Sequence, residues 1–193
     1  MTRSAKGTVL IAIALFCSGC ARVDRADLNS LTVQSISVKK PTAEEWGALA
    51  TAAGLASEAI RFDIKIEANI QSLANQGQYS VQAVAWLCNN NTFDASQKLE
   101  TLPQIFDAQG DVGWGLKSKP ANSNQETNQY HFYLFTSGLL GDGNNLKVRY
   151  DLHQMNAKIC FRLIAGNMEG ETFYTNTVIV NPAAISSALR SKN

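Results

Sequence analysis

Residues 60–70 read IRFDIKIEANI, and this strict alternation constrains the chain more than any other stretch. Ile60, Phe62, Ile64, Ile66, Ala68 and Ile70 fall on one face, and Arg61, Asp63, Lys65, Glu67 and Asn69 on the other. A period of two describes a strand with one buried and one solvated face, the pattern of an antiparallel sheet. NQGQ at 75–78 supplies turn formers, and residues 79–88 return as a strand apolar on both faces, as a central strand would be. Alternation recurs at 31–38, 130–135, 146–152, 157–164 and 173–180, with turns at GDGNN (141–145) and GNMEGE (166–171).

No helix-length pattern separates consecutive strands, which argues against βαβ units and predicts a chain of hairpins forming an antiparallel β-sandwich. One short helical segment is expected near 42–58. There TAEE places Thr42 as N-cap with Glu45 three residues on, a capping box, ahead of an Ala-rich stretch interrupted at Gly47 and Gly54. An immunoglobulin-like architecture is compatible with this pattern, but Trp86 precedes Cys88 on the same strand, which is not the Trp placement of those domains. Architecture of that kind would in any case carry no function.

Residues 10–24 read LIAIALFCSGCARVD. The apolar run from 8 to 16, extended by small residues to Gly19, is too short to cross about 30 Å of hydrocarbon as a helix. Arg3 and Lys6 precede it with no acidic residue, giving the charged head, apolar middle and small-residue end of a secretory signal. Ser18, Gly19 and Cys20 match the last three places of a lipobox, and on these residues the N-terminus resembles a bacterial lipoprotein precursor; Cys17 stands where the family usually has an aliphatic residue. The resemblance covers residues 1–20 only. It implies a signal peptide over 1–19, a diacylglycerol thioether on the Cys20 sulfur with an acylated Cys20 amine, and sorting to the outer membrane, since Ala21 rather than Asp follows. Several acyl chains at roughly 0.8 kcal/mol per buried CH₂ make a stable anchor. Ordinary cleavage after Ala21 remains the rival.

Loss of 1–19 leaves a tether over 20–30 and one β-rich domain over 31–193. Removing Arg3 and Lys6 takes the 17 basic residues to 15, against 16 acidic ones, a formal charge near −1. That balance argues against a nucleic-acid binder or a polybasic membrane-surface protein. With Cys17 removed and Cys20 lipidated, Cys88 and Cys160 remain as an even pair in an oxidising compartment. A disulfide between them is the expected state, and two buried thiols on separate strands the alternative. A zinc site lacks any C-x-x-C pairing, and only His131 and His153 could complete it, so neither a metal nor another cofactor is expected.

Catalytic signatures are absent: the sequence holds no G-x-S-x-G, H-E-x-x-H, G-x-x-x-x-G-K-[ST] or G-x-G-x-x-G. His131, inside YHFYLF, reads as a satisfied strand histidine, and His153 as a solvated one. Carboxylates near Asp107, Asp111 and Glu126 would signal a hydrolase only if they converge in a concavity. Lys147, Arg149, Lys158 and Arg162 form either a basic strip or an ordinary solvated face. Three residues stand out as partner-binding candidates. Trp114 sits between glycines in the long irregular segment 89–129, within a preferred contact loop at 102–120, and Leu139 with Leu140 either caps the core or presents an apolar tip. The expected function is a non-enzymatic, membrane-anchored binding or secretion-assembly module on the periplasmic face, engaging another envelope protein. An immunity-type inhibitor of a periplasmic toxin, or a glycan hydrolase working through carboxylates, are the alternatives.

Overall fold

The computed structural model describes residues 28–42, 45, 58–70, 73–74, 79–89, 92–102, 104–108, 110–111, 128–141 and 148–191. Its strands are β1 (Thr32–Lys39), β2 (Ala59–Lys65), β3 (Ser80–Leu87), β4 (Phe106–Asp107), β5 (Gly110–Asp111), β6 (Gln129–Phe135), β7 (Ser137–Leu139), β8 (Arg149–Asp151), β9 (Ile159–Gly166), β10 (Thr172–Tyr174) and β11 (Val178–Val180). A 3₁₀ turn at Ala95–Gln97 and one α-helix, α1 (Pro182–Arg190), complete the described elements. The fold is mainly β, and all of its strand pairs are antiparallel.

The first sheet has the order β1-β2-β6-β4-β5. In the second, β9 lies between β3 on one side and β10 followed by β11 on the other, while β7 and β8 form a separate hairpin. The apolar inner faces of the two sheets meet in one core. Phe62 and Phe132 of the first sheet stack at 5.0 Å, and Phe161 of the second packs against both at 5.4 and 5.0 Å. Such sandwich-like packing removes about 25 cal/mol per Å² of apolar surface from water.

Two devices seal the flanks. Residues 98–102 bond to β3 through Leu99 N–H to the Ala85 carbonyl, and then cross to β6, where Leu102 N–H donates to the Tyr133 carbonyl and Phe135 N–H to the Glu100 carbonyl. On the other flank the Asn176 side chain accepts from Leu31 N–H and donates to the Leu31 carbonyl, tying the gap between β10 and β11 to the start of β1. Thr175 closes that gap by exchanging two hydrogen bonds with Leu163, one through its hydroxyl.

All six apolar residues of the 60–70 alternation are buried, although the strand ends at Lys65, Ile66 and Ala68 follow in irregular backbone, and Ile70 is helical. Two expectations need correction. The strands at 60–70 and 79–88 do not pair with each other: β2 lies between β1 and β6, whereas β3 pairs with β9 in the other sheet, because both faces of β3 require cover. The strand expected at 173–180 is interrupted at Thr175–Thr177 and forms β10 and β11. A helix not expected from the sequence lies at the C-terminus, where Asn181 occupies the N-cap, Pro182 starts the first turn, and Ile185 and Ala188 are buried as the helix packs beside β1. Of the expected segment 42–58, residues 43–44 and 46–57 lie outside the described residues, but the capping box itself is formed: Thr42 N–H donates to the Glu45 carboxylate at 2.7 Å and Glu45 N–H to Thr42 Oγ1 at 3.3 Å.

Candidate functional site

The pleat of the first sheet fixes what its outer face carries. Register places Arg61 opposite Tyr133, Asp63 opposite His131 and Lys65 opposite Gln129, so β2 and β6 present these side chains outward while their alternate residues fill the core. Tyr133 packs there with Ala59, Leu102, Phe106 and Phe135 in a small outer cluster. Phe106 of β4 stacks on His131 at 5.4 Å and shields its ring.

Glu45 reaches this face from the capping box. Its Oε1 accepts from His131 Nε2 at 2.9 Å and from the Tyr133 hydroxyl at 3.0 Å, while its Oε2 accepts from Thr42 N–H. Beside it Arg61 Nε donates to Asp63 Oδ1 at 2.7 Å, and the Ser35 hydroxyl donates to the other Asp63 oxygen. Thr42, Glu45, Arg61, Asp63 and His131 line an open cleft of about 490 Å³, together with Asp107 and Gln34.

The electrostatics follow from burial and pairing. Burial lowers the His131 pKa, outweighing the Glu45 hydrogen bond that raises it, and Arg61 adds to the lowering. The ring is therefore neutral at pH 7, with Nε2–H donating to Glu45. Burial works to raise Glu45, but donors from Thr42, His131 and Tyr133 hold its carboxyl below the ordinary value. Asp63 is likewise lowered against its burial by Ser35 and Arg61. Burial and then Glu45 push Tyr133 up to about 12. The result is two ionised carboxylates saturated by neighbouring donors. A general acid for glycoside hydrolysis needs the opposite, a carboxyl whose pKa is raised.

The second sheet presents a different outer face. Register aligns Val84 with Arg162, Trp86 with Cys160, and Ile179 with Cys160 from the other side. Val84, Trp86 and Cys160 are buried there beneath Cys88 and Ile164. The Arg162 guanidinium lies 4.2 Å from the Tyr174 ring centroid, 5.3 Å from Phe93 and 5.8 Å from Trp86. Phe93 meets Trp86 edge-on at 5.3 Å. Tyr174, Ile179 and Phe93 are exposed to 49%, 44% and 38% respectively, large values for such side chains.

Cys88 and Cys160 are joined, with Cα atoms 5.3 Å apart. The pair links neighbouring strands of one sheet at the end of the β3–β9 ladder, where Cys88 N–H donates to the Lys158 carbonyl, so it does not bridge the two sheets as an immunoglobulin disulfide does. Leu139 is half-buried in β7, and Leu140 packs against the main core. His131 is a buried, satisfied strand histidine, whereas the exposed His153 bonds Glu58 at 3.0 Å. The three described residues of the expected basic strip do not share one strip. Arg149 belongs to the β7–β8 hairpin, Lys158 and Arg162 to the second sheet, and Lys147 lies outside the described residues. Cys20, Trp114 and Glu126 also lie outside them, as do most of residues 102–120. Among the described residues no cluster of His, Cys, Asp and Glu is arranged to hold a metal.

Sequence reasoning missed both constellations on the outer faces. Glu45 and His131 are 86 residues apart, and Arg162 meets Phe93 across two segments that no local spacing connects. The available signals were a histidine and an arginine inside otherwise apolar strands. Comparison with protein-family models, with curated proteins and with solved structures finds no match for this chain.

Proposed function

We propose that this chain is an exported, lipid-anchored binding module that engages another envelope protein and performs no catalysis of its own. On this reading residues 1–19 are removed, Cys20 carries the acyl chains at the periplasmic face of the outer membrane, and the β-rich domain extends from a tether over 20–30. The observation that carries the binding function is the outer face of the second sheet. Of the large apolar side chains exposed among the described residues, Phe93, Tyr174 and Ile179 gather on this one face around Arg162. Aromatic residues and arginine are the side chains most enriched in interface cores. The same face serves a secretion-assembly component and an immunity-type inhibitor equally.

A hydrolase is the second reading, and the cleft beside Glu45, Asp63 and Asp107 favours it. The lowered pKa values of Glu45 and Asp63 weigh against it, because neither is held as a proton donor. The test places a photo-crosslinking amino acid at Tyr174, and separately at Lys65 on the outer face of the first sheet, in the full-length protein within envelopes. The expected result is a defined protein adduct from Tyr174 and none from Lys65. Absence of any adduct at Tyr174, or glycan cleavage by the purified protein that is lost in Glu45→Gln, overturns the proposal. Cys20→Ser should release the protein from membranes or leave it uncleaved, and an unmodified mature N-terminus at Arg22 would remove the anchor from the proposal.

A further inference from the structure

Charge on the outer face of the second sheet is one-sided. The alternating register makes Ser80, Gln82, Val84 and Trp86 of β3 share that face with Cys160, Arg162, Ile164 and Gly166 of β9, and with Thr172, Tyr174 and Ile179 on the outer edge. Lys98 joins it opposite Trp86, and Lys158 continues the β9 register. These positions contain Lys98, Lys158 and Arg162 and no Asp or Glu. Carboxylates adjoining the face in sequence are engaged elsewhere: Asp94 accepts from Ser96, and Glu171 accepts from Tyr79 and Asn167. Glu169 lies in the exposed turn between β9 and β10. No described carboxylate forms an ion pair with Arg162.

Arg162 is nevertheless held in place. Three aromatic rings surround its guanidinium, and its Nε is buried without a hydrogen-bond partner among the described residues, as is the indole N–H of Trp86 beside it. An arginine fixed by stacking loses little freedom when a carboxylate arrives, and its fork matches a carboxylate in two hydrogen bonds. The buried Nε and the Trp86 indole N–H lie out of a partner's reach, so the docking contact falls to the terminal nitrogens of the half-buried Arg162.

Resting on the protein-binding reading above, we propose that this face docks an acidic segment of the partner protein, with the Arg162 fork taking a carboxylate and Phe93, Tyr174 and Ile179 taking its apolar neighbours. Lys98 and Lys158 flank the site and steer the acidic segment toward it. A lipid surface fits less well: three cations on a mature chain of formal charge near −1 fall short of the basic cluster that anionic headgroups require.

The experiment uses the full-length protein in envelopes with the crosslinker at Tyr174. Mass spectrometry of the crosslinked peptide should identify one partner whose attached segment carries Asp or Glu within a few residues of the crosslink. Lys158→Glu, an exposed change that the fold tolerates, and Arg162→Gln should each reduce the adduct roughly tenfold, and Arg61→Gln on the opposite face should not. A synthetic peptide copy of the captured segment should compete, and the copy with its Asp and Glu changed to Asn and Gln should not. A defined adduct that survives Lys158→Glu and Arg162→Gln, or whose segment is not acidic, overturns this inference and leaves the binding function intact. Failure to obtain an adduct overturns both. Arg162-dependent binding to phosphatidylglycerol vesicles, with no protein adduct, replaces the acidic segment by a membrane.

Discussion

On the outer face of the first sheet Arg61, Asp63, Glu45, His131 and Tyr133 answer one another's hydrogen bonds, whereas on the outer face of the second sheet Arg162 and Trp86 keep buried donors that no described residue answers. Both faces are built on the same plan, a small apolar cluster lying outside the sheet and opposite the common core. They differ in where the polar groups find partners. A face that satisfies itself has little to gain from a ligand, since any new hydrogen bond displaces an existing one. A face with fixed cations and exposed rings holds its interaction energy in reserve. Concavity and unanswered donors therefore do not coincide: the cleft of about 490 Å³ lies over the satisfied face, and the unpartnered Arg162 Nε and Trp86 indole N–H lie under the other.

The largest expected effect tests whether the second face is structural as well as interactive. Trp86 is fully buried between Cys160 and Phe93, and Trp86→Ala should cost about 3–5 kcal/mol, measured by urea denaturation. Tyr174→Ala, on the same face but half exposed, should leave the unfolding midpoint nearly unchanged. Equal losses from both substitutions would mean that the exposed rings are part of the packing. Removing the disulfide beside Trp86 comes next. Cys88 and Cys160 are separated by 72 residues, and the double Ala variant should lose roughly 2–4 kcal/mol, the upper end corresponding to the chain-entropy treatment of so long a loop.

The inner faces were legible in the sequence because one residue in two is enough to define them. Ile60, Phe62, Ile64 and the alternating positions of 130–135 and 157–164 declare their burial locally. The cysteine pair was legible from its even number and from the oxidising compartment that the expected export signal implies. Strand partners were not: β3 pairs with a strand more than 70 residues downstream, and nothing in its apolar pattern says which apolar strand covers it. Helix α1 had signals in Asn181, Pro182 and Arg190, but its nine residues carry only a short amphipathic stripe and escaped notice. The outer-face constellations were the least legible, since Glu45–His131 and Arg162–Phe93 are contacts made by tertiary structure between residues whose neighbours in sequence say nothing of each other.

The two faces should also separate by pH. His131 has its pKa lowered in the folded state, so the unfolded chain takes up the proton first and stability falls as the pH drops below about 6.5. Glu45 and Asp63 are lowered too, and their contributions are present above their ordinary carboxyl values and lost as the pH falls through the folded ones. All three shifts make acid unfavourable to the first face. Glu45→Ala should cost about 1–3 kcal/mol at neutral pH, because the buried His131 and Tyr133 donors lose their acceptor. His131→Gln should flatten the stability profile between pH 7 and 5. A full slope persisting in that variant would assign the acid sensitivity to other groups.

The smallest effect compares the two arginines directly. Arg61 pairs with Asp63 at 2.7 Å, both partly exposed, an arrangement worth up to about 1 kcal/mol, and Arg61→Met leaves Asp63 with only the Ser35 hydroxyl. Arg162→Met keeps an unbranched apolar stem beside Trp86 and removes a charge that no described carboxylate answers. What it gives up is cation–π attraction of about 0.5–1 kcal/mol at a partly exposed site, and what it gains is relief from a buried, unpartnered Nε. These terms nearly cancel, so Arg162→Met should alter the unfolding free energy by less than about 0.5 kcal/mol, within the range of ordinary surface changes. Arg61→Met should be the more destabilising of the two, and the difference should shrink in high salt as the Arg61–Asp63 pair is screened. Should Arg162→Met prove the costlier change, the guanidinium would be serving the fold, and its place in a docking surface would lose its physical basis.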